Sequence, residues 1–81
     1  MTISSNDLFL QKIEGPELDH GVNRFVDLYE DLETGMIKSV AWTEFSNLQT
    51  VFRGCIINNE SLERHMMRAT DWVHNMVQDF N

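Results

Sequence analysis

His20, His65, His74 and Cys55 are the side chains best suited to hold a metal or pass a proton. A zinc centre needs four protein ligands, or three and a water. The chain has no Cys-x-x-Cys or His-x-x-x-His pair. On one helix, His65 and His74 would lie about 180° apart, so they cannot share an ion there. His65 falls at the edge of an apolar stripe and reads as a packing residue, and His20 and His74 read as surface residues. Cys55, beside Gly54 and two isoleucines, reads as a buried thiol. A calcium loop with its glycine at Gly35 would place Glu30 first, Leu32 third, Thr34 fifth and Ala41 twelfth. Leu32 and Ala41 offer no oxygen where calcium needs one, so the match fails.

Nucleophilic catalysis requires a base beside the nucleophile and donors for an oxyanion. The chain has no Gly-x-Ser-x-Gly elbow, phosphate-cradling loop or kinase-type set. The adjacent carboxylates Glu30 and Asp31 fall on an open polar surface, where their acidity stays ordinary. The sequence therefore predicts a protein that is not an enzyme, with no catalytic residue, cofactor or metal.

The stretch that would position such groups runs from Pro16 to Gly35. Pro16 suits a first helical turn, and Gly35 suits a helix stop. At 100° per residue, Leu18, Val22, Phe25, Val26, Leu28, Tyr29 and Leu32 share one side. Glu17, Asp19, Asp27, Glu30 and Asp31 take the other side, with Glu33 in the last turn. Gly21 costs this helix about 1 kcal/mol relative to alanine. The competing hairpin, with strand 24–31 turning at Glu33-Thr34-Gly35, has mixed polarity on both faces, so the helical template is preferred.

Further elements follow the same logic. Ser4 or Ser5 caps a short helix through Ile13, against a strand over Leu8–Ile13. Ile37, Val40, Ala41, Phe45, Leu48, Val51 and Phe52 fit a helix that stops at Gly54, although the run around Trp42 is rich in strand-forming residues. Asn58 or Asn59 caps a final helix to about Asp79. Its stripe is Leu62, Met66, Ala69, Trp72, Val73, Met76, Val77 and Phe80. The expected fold is one all-α domain over residues 1–81, a bundle of three to four helices. The alternative is α+β, with a hairpin around Thr34-Gly35 and a long C-terminal helix.

Thirteen acids against six bases give a formal charge of -7. Residues 14–33 hold seven acids against Arg24 alone. Such a field repels nucleic acid and anionic membranes and attracts basic surfaces. No apolar run approaches the roughly 20 residues of a membrane span, and the first residues do not read as a secretory signal. A cytoplasmic location is the expectation. So is self-association, because the core is small.

The functional expectation is a non-catalytic binding module. It would occupy a basic surface of a partner protein, as inhibitors, immunity proteins and phage anti-defence factors do. Glu17, Asp27, Glu30, Asp31 and Glu33 would steer, and Tyr29 and Trp42 would anchor. Trp42, Met67, Phe9 and Leu10 fall off the stripes, which marks either an interface or a lateral closure of the core. A second candidate surface is the strip Arg64, Arg68 and Asn75 with His74 beside it. It suits a DNA-binding regulator that uses the last two helices, although two arginines are few against this net charge. A structural subunit of a larger assembly is the third reading.

Overall fold

The computed structural model describes residues 3–17, 21–74 and 79–80. It contains β1 (Asp7–Glu14), β2 (Asn23–Asp31), β3 (Ile37–Glu44), β4 (Thr50–Asn58) and α1 (Leu62–His74). The strands form one antiparallel sheet in the order β1-β2-β3-β4. This overturns the all-α helical bundle.

The long helix expected from Pro16 to Gly35 is a loop followed by β2. Val26 and Leu28 are fully buried in the core, while Phe25 and Tyr29 belong to the opposite face. A strand that is apolar on both faces at its middle lacks clean alternation. Its apolar density then satisfies the helical template equally well.

β2 reverses into β3 through a turn closed by Asp31. Its Oδ1 accepts from the N–H groups of Glu33 (2.8 Å) and Thr34 (3.4 Å). The Gly35 N–H donates to the Asp31 carbonyl at 2.7 Å, with Gly35 at φ 76°. This is the hairpin weighed as the alternative.

The helix expected over 37–54 is instead β3 and β4, joined by a tight turn. The Phe45 N–H donates to the Gln49 carbonyl (2.9 Å) and the Leu48 N–H to the Phe45 carbonyl (2.8 Å). No glycine or proline announces this turn. Leu48 takes the left-handed position at φ 63°, a conformation that Gly and Asn adopt more readily. The segment expected as a capped N-terminal helix is β1.

α1 begins later than expected. Ser61, not Asn58 or Asn59, caps it, accepting from the Arg64 N–H at 3.3 Å. Its buried residues are His65, Ala69, Trp72 and Val73, the one stripe with true helical spacing. The expected Leu18, Asp19, His20, Asn75, Met76 and Val77 contributions lie outside the described residues. A helix-turn-helix over the last two helices has no first helix, because β4 precedes α1.

α1 packs against β1, β2 and β3 on one face of the sheet. The core is Val26, Leu28, Ala41, Ala69, Trp72, Val73 and Phe80, with Leu10, Ile13, Ile56 and Met66 around it. Arg24 joins the end of α1 to β2. Its guanidinium carbon lies 4.5 Å from the centroid of the Trp72 ring, and its Nη1 donates to the Trp72 carbonyl at 3.0 Å. That bond satisfies one of the carbonyls a helix end leaves unpaired. Gly15 lets β1 meet the same end of the helix: a Cβ there would sit 2.3 Å from the Val73 carbonyl oxygen. Gly15→Ala should therefore lower stability by about 1–3 kcal/mol through overpacking. Urea unfolding monitored by circular dichroism measures this, and an unchanged midpoint would contradict the close approach.

Candidate protein-binding face

Two arrangements bring reactive or binding side chains together. The first is a buried polar chain beneath α1. The Asn58 Nδ2 donates to Glu60 Oε1 at 2.6 Å, which leaves Asn58 Oδ1 as an acceptor. His65 Nε2 lies 2.7 Å from that oxygen, so the ring donates there. Nδ1 then accepts from the Ser39 hydroxyl, 2.6 Å away. Beyond it, Arg68 Nη2 donates to Glu60 Oε1 at 2.5 Å, and Arg64 lies 3.6 Å from Glu60 Oε2.

Serine, histidine and an orienting amide resemble a hydrolytic triad in order. Both Ser39 and His65 are fully buried, however, and Ser39 sits in β3 between Leu28 and Ile56. Substrate has no path to the hydroxyl, so the chain ties α1 to the sheet. Burial, and then the Arg68 charge, hold the His65 pKa below its usual value, with Glu60 opposing. The sequence reading placed His65 at a stripe edge. It gave no sign that His65 meets Ser39, which is 26 positions away.

The second arrangement is the sheet face opposite α1. Antiparallel register sets its rows. Phe9, Tyr29, Lys38 and Ile57 form one row; Lys12, Asp27, Val40 and Cys55 form the next; Glu14, Phe25, Trp42 and Phe52 form a third. Aromatic rings occupy two opposite corners. Phe9 meets Tyr29 edge-on at 5.6 Å between centroids, and Trp42 meets Phe52 likewise at 5.5 Å. Phe9, Phe52 and Ile57 are 51%, 46% and 44% exposed. Val40, between the two corners, is fully buried by its neighbours. Cys55, expected to be fully buried, is half-buried at the margin of this face.

Polar groups are set into this apolar surface. Lys38 Nζ reaches Asp7 Oδ2 at 2.7 Å, and the Ser4 N–H donates to the same oxygen at 2.8 Å. The Lys38 bond, then the Ser4 bond, hold the Asp7 carboxyl below its usual range. Asp27 behaves in the opposite way. Burial pushes its carboxyl up, against the pull of Lys12. Its Oδ1 is buried without a hydrogen-bond partner, as is the Trp42 Nε1. Burial first, then the charges of Asp27 and Asp7, also raise the Tyr29 phenol.

The residues expected to form one acidic helix face are dispersed. Asp27, Tyr29 and Trp42 share the open face. Asp31 lies at the end of that face, but its carboxylate builds the turn. Glu33 accepts from Asn6 Nδ2 at 3.0 Å in the same turn. Glu30, alternating with Tyr29, falls on the α1 side. Glu17 stands near Gly21 and Ser46 at the other end of the sheet, about 25 Å away along the strands. On α1, Arg64 and Arg68 line a shallow cleft with Met67, Trp72 and Phe80. The carboxylates Asp71 and Asp79 share that cleft and offset the two guanidinium charges. His74 is exposed, its Nδ1 bonded to the Thr70 carbonyl at 2.9 Å.

Among the described residues, no group of three or more His, Cys, Asp or Glu side chains is placed to hold a metal ion. None of the described helices is long and apolar enough to cross a membrane. No protein-family model matches the chain, and neither the curated proteins nor the solved structures contain a significant match.

Two titrations check these assignments. His65 has a folded pKa below its unfolded value, so its contribution is present above about pH 6.5 and is lost as pH falls through the folded value. The denaturation midpoint should drop between pH 7 and pH 5, and an NMR-measured His65 pKa at or above 6.5 would refute the relay as drawn. Asp27 has the opposite sign: its ionised form is penalised by folding. Asp27→Asn should therefore raise the thermal midpoint at pH 7, and the gain should vanish below about pH 3.8, where the carboxyl is protonated in both states.

Proposed function

We propose that this protein is a small non-catalytic protein-binding module whose working surface is the open face of the sheet. One observation carries the reading: Phe9, Phe52 and Ile57 stand about half exposed around a fully buried Val40, on a face that no described helix or strand covers. Contiguous exposed apolar surface of this kind is characteristic of interaction sites, and aromatic residues are the usual anchors. Four strands about 4.8 Å apart and eight residues long present roughly 500 Å² in projection, which approaches one side of a standard interface.

Charge favours a partner other than a second copy. The face carries Asp7, Glu14, Asp27, Asp31 and Glu44 against Lys12 and Lys38. Two such faces repel each other, whereas a basic surface is attracted. An inhibitor or anti-defence role would consist of occupying that surface.

Both edge strands are irregular, β1 at Leu10 and β4 at Arg53. Such bulges discourage a partner strand from adding to the sheet, so binding through side chains on the face is favoured over edge pairing.

Phe9→Ser and Phe52→Ser test the reading, since both sites are exposed and the fold should survive, as circular dichroism would show. Affinity for a partner isolated from the native host should fall about 30-fold for either change, a loss of roughly 2 kcal/mol. Arg64→Gln and Met67→Ser, on the outer side of α1, should leave affinity nearly unchanged. Full affinity in the two Phe variants would move the working surface elsewhere.

A further inference from the structure

Resting on that reading, we propose that Leu48, at the tip of the β3–β4 turn, is a fixed anchor that enters an apolar pocket with a basic rim on the same partner protein. Leu48 is 79% exposed, the highest value among the described large hydrophobic residues. Among the described residues it is also the one non-glycine with a positive φ, 63°. Its N–H donates to the Phe45 carbonyl, and the Phe45 N–H donates to the Gln49 carbonyl. A turn of this kind ends on a left-handed residue, which glycine or asparagine supplies at least cost. Asn47 stands one place earlier, where its Oδ1 accepts from the Gln49 N–H at 3.1 Å.

A leucine at the left-handed place is unfavourable to the turn and, standing in water, adds little to the core. A lone exposed leucine is ordinary. One held in a disfavoured backbone conformation is not, and such residues concentrate at binding sites. The tip is also braced from behind. A Cβ on Gly21 would lie 2.8 Å from the Ser46 Cβ, so the chain at Gly21 packs directly on the turn. An anchor already fixed in place gives up little conformational freedom on binding.

The surroundings set the chemistry of the pocket. Glu44 pairs with Thr50 beside the turn, and Glu17 Oε1 lies 3.6 Å from that same Gly21 Cβ position. Arg53 is near too, but its Nε donates to Thr43 Oγ1 at 3.1 Å and its guanidinium lies 5.8 Å from the Phe45 ring centroid. Basic groups at the pocket rim complement the two carboxylates. The tip adjoins the open face as well, because β4 runs from the turn to Phe52, which meets Trp42 edge-on.

The probe is the host protein that the immobilised wild-type chain retains, purified and titrated by calorimetry. Leu48→Ala should lower affinity about tenfold and leave the thermal midpoint unchanged, because it keeps the strained backbone and removes only an exposed side chain. Leu48→Asn should lower affinity as much yet raise the midpoint by about 2–6 °C, because asparagine tolerates the conformation. Leu48→Met should stay within about threefold of wild type, since methionine fills apolar pockets adaptably. Glu17→Gln combined with Glu44→Gln should slow association about threefold at low salt.

Full affinity in Leu48→Ala overturns the proposal. So does a lower midpoint in Leu48→Asn, which would make the side chain a support of the fold. An unchanged association rate in the double Gln variant overturns the basic rim. Self-association of the wild type, lost in Leu48→Ala, would make a second copy the occupant and overturn the proposal too. Retention of no host protein by the wild-type chain removes both readings. They also fail separately: if Phe9→Ser and Phe52→Ser abolish binding while Leu48→Ala does not, the face stands and the anchor falls.

Discussion

A helix of 13 residues is about 20 Å long and about 10 Å wide, and a sheet has two faces. α1 therefore covers one face of this sheet, and no described helix or strand covers the other. In this chain both faces carry large apolar side chains. Val26, Leu28 and Ala41 lie under α1, while Phe25, Tyr29, Val40 and Trp42 lie on the far side. The covered face supplies the core. The uncovered face keeps its aromatic rings partly wet, in a protein that has little apolar surface to spare.

The covered side is specified by small residues and by one polar chain. Ser39 and Ala41 on β3 admit the helix, and Gly15 admits its last turn. The bonds from Ser39 through His65 to Asn58 then fix where along β3 the helix rests. Apolar packing alone is tolerant of sliding. A buried hydrogen-bonded histidine is not, because moving it by one residue leaves two ring nitrogens and a hydroxyl unsatisfied. At the far end, Arg24 does comparable work on the Trp72 carbonyl. The helix is pinned near both of its described ends.

The uncovered side follows a different logic. Among the described residues, Lys38 pairs closely with Asp7 there, under the N-terminal turn at Ser4. Asp27 is the contrasting case: burial weakens the acidity of its carboxyl, and its Oδ1 has no hydrogen-bond partner. The formal charge of -7 adds a negative field of longer range.

What the sequence determined by itself is what depends on near neighbours along the chain. The stripe through Ala69, Trp72 and Val73, with His65 at its edge, was legible because helical hydrogen bonds run from i to i−4. The turn at Thr34-Gly35 was legible only as the alternative, because the same glycine also suits a helix stop, and the turn-closing role of Asp31 was not read. The net charge needed no fold at all. The tertiary structure decided the rest. Strand hydrogen bonds join residues far apart, so β2 could be told from a helix only by its partners β1 and β3. The placing of Glu30 on one face and Asp27 on the other followed from that register. So did the meeting of Ser39 with His65, and the gathering of Phe9, Phe25 and Phe52 around Asp27 and Trp42.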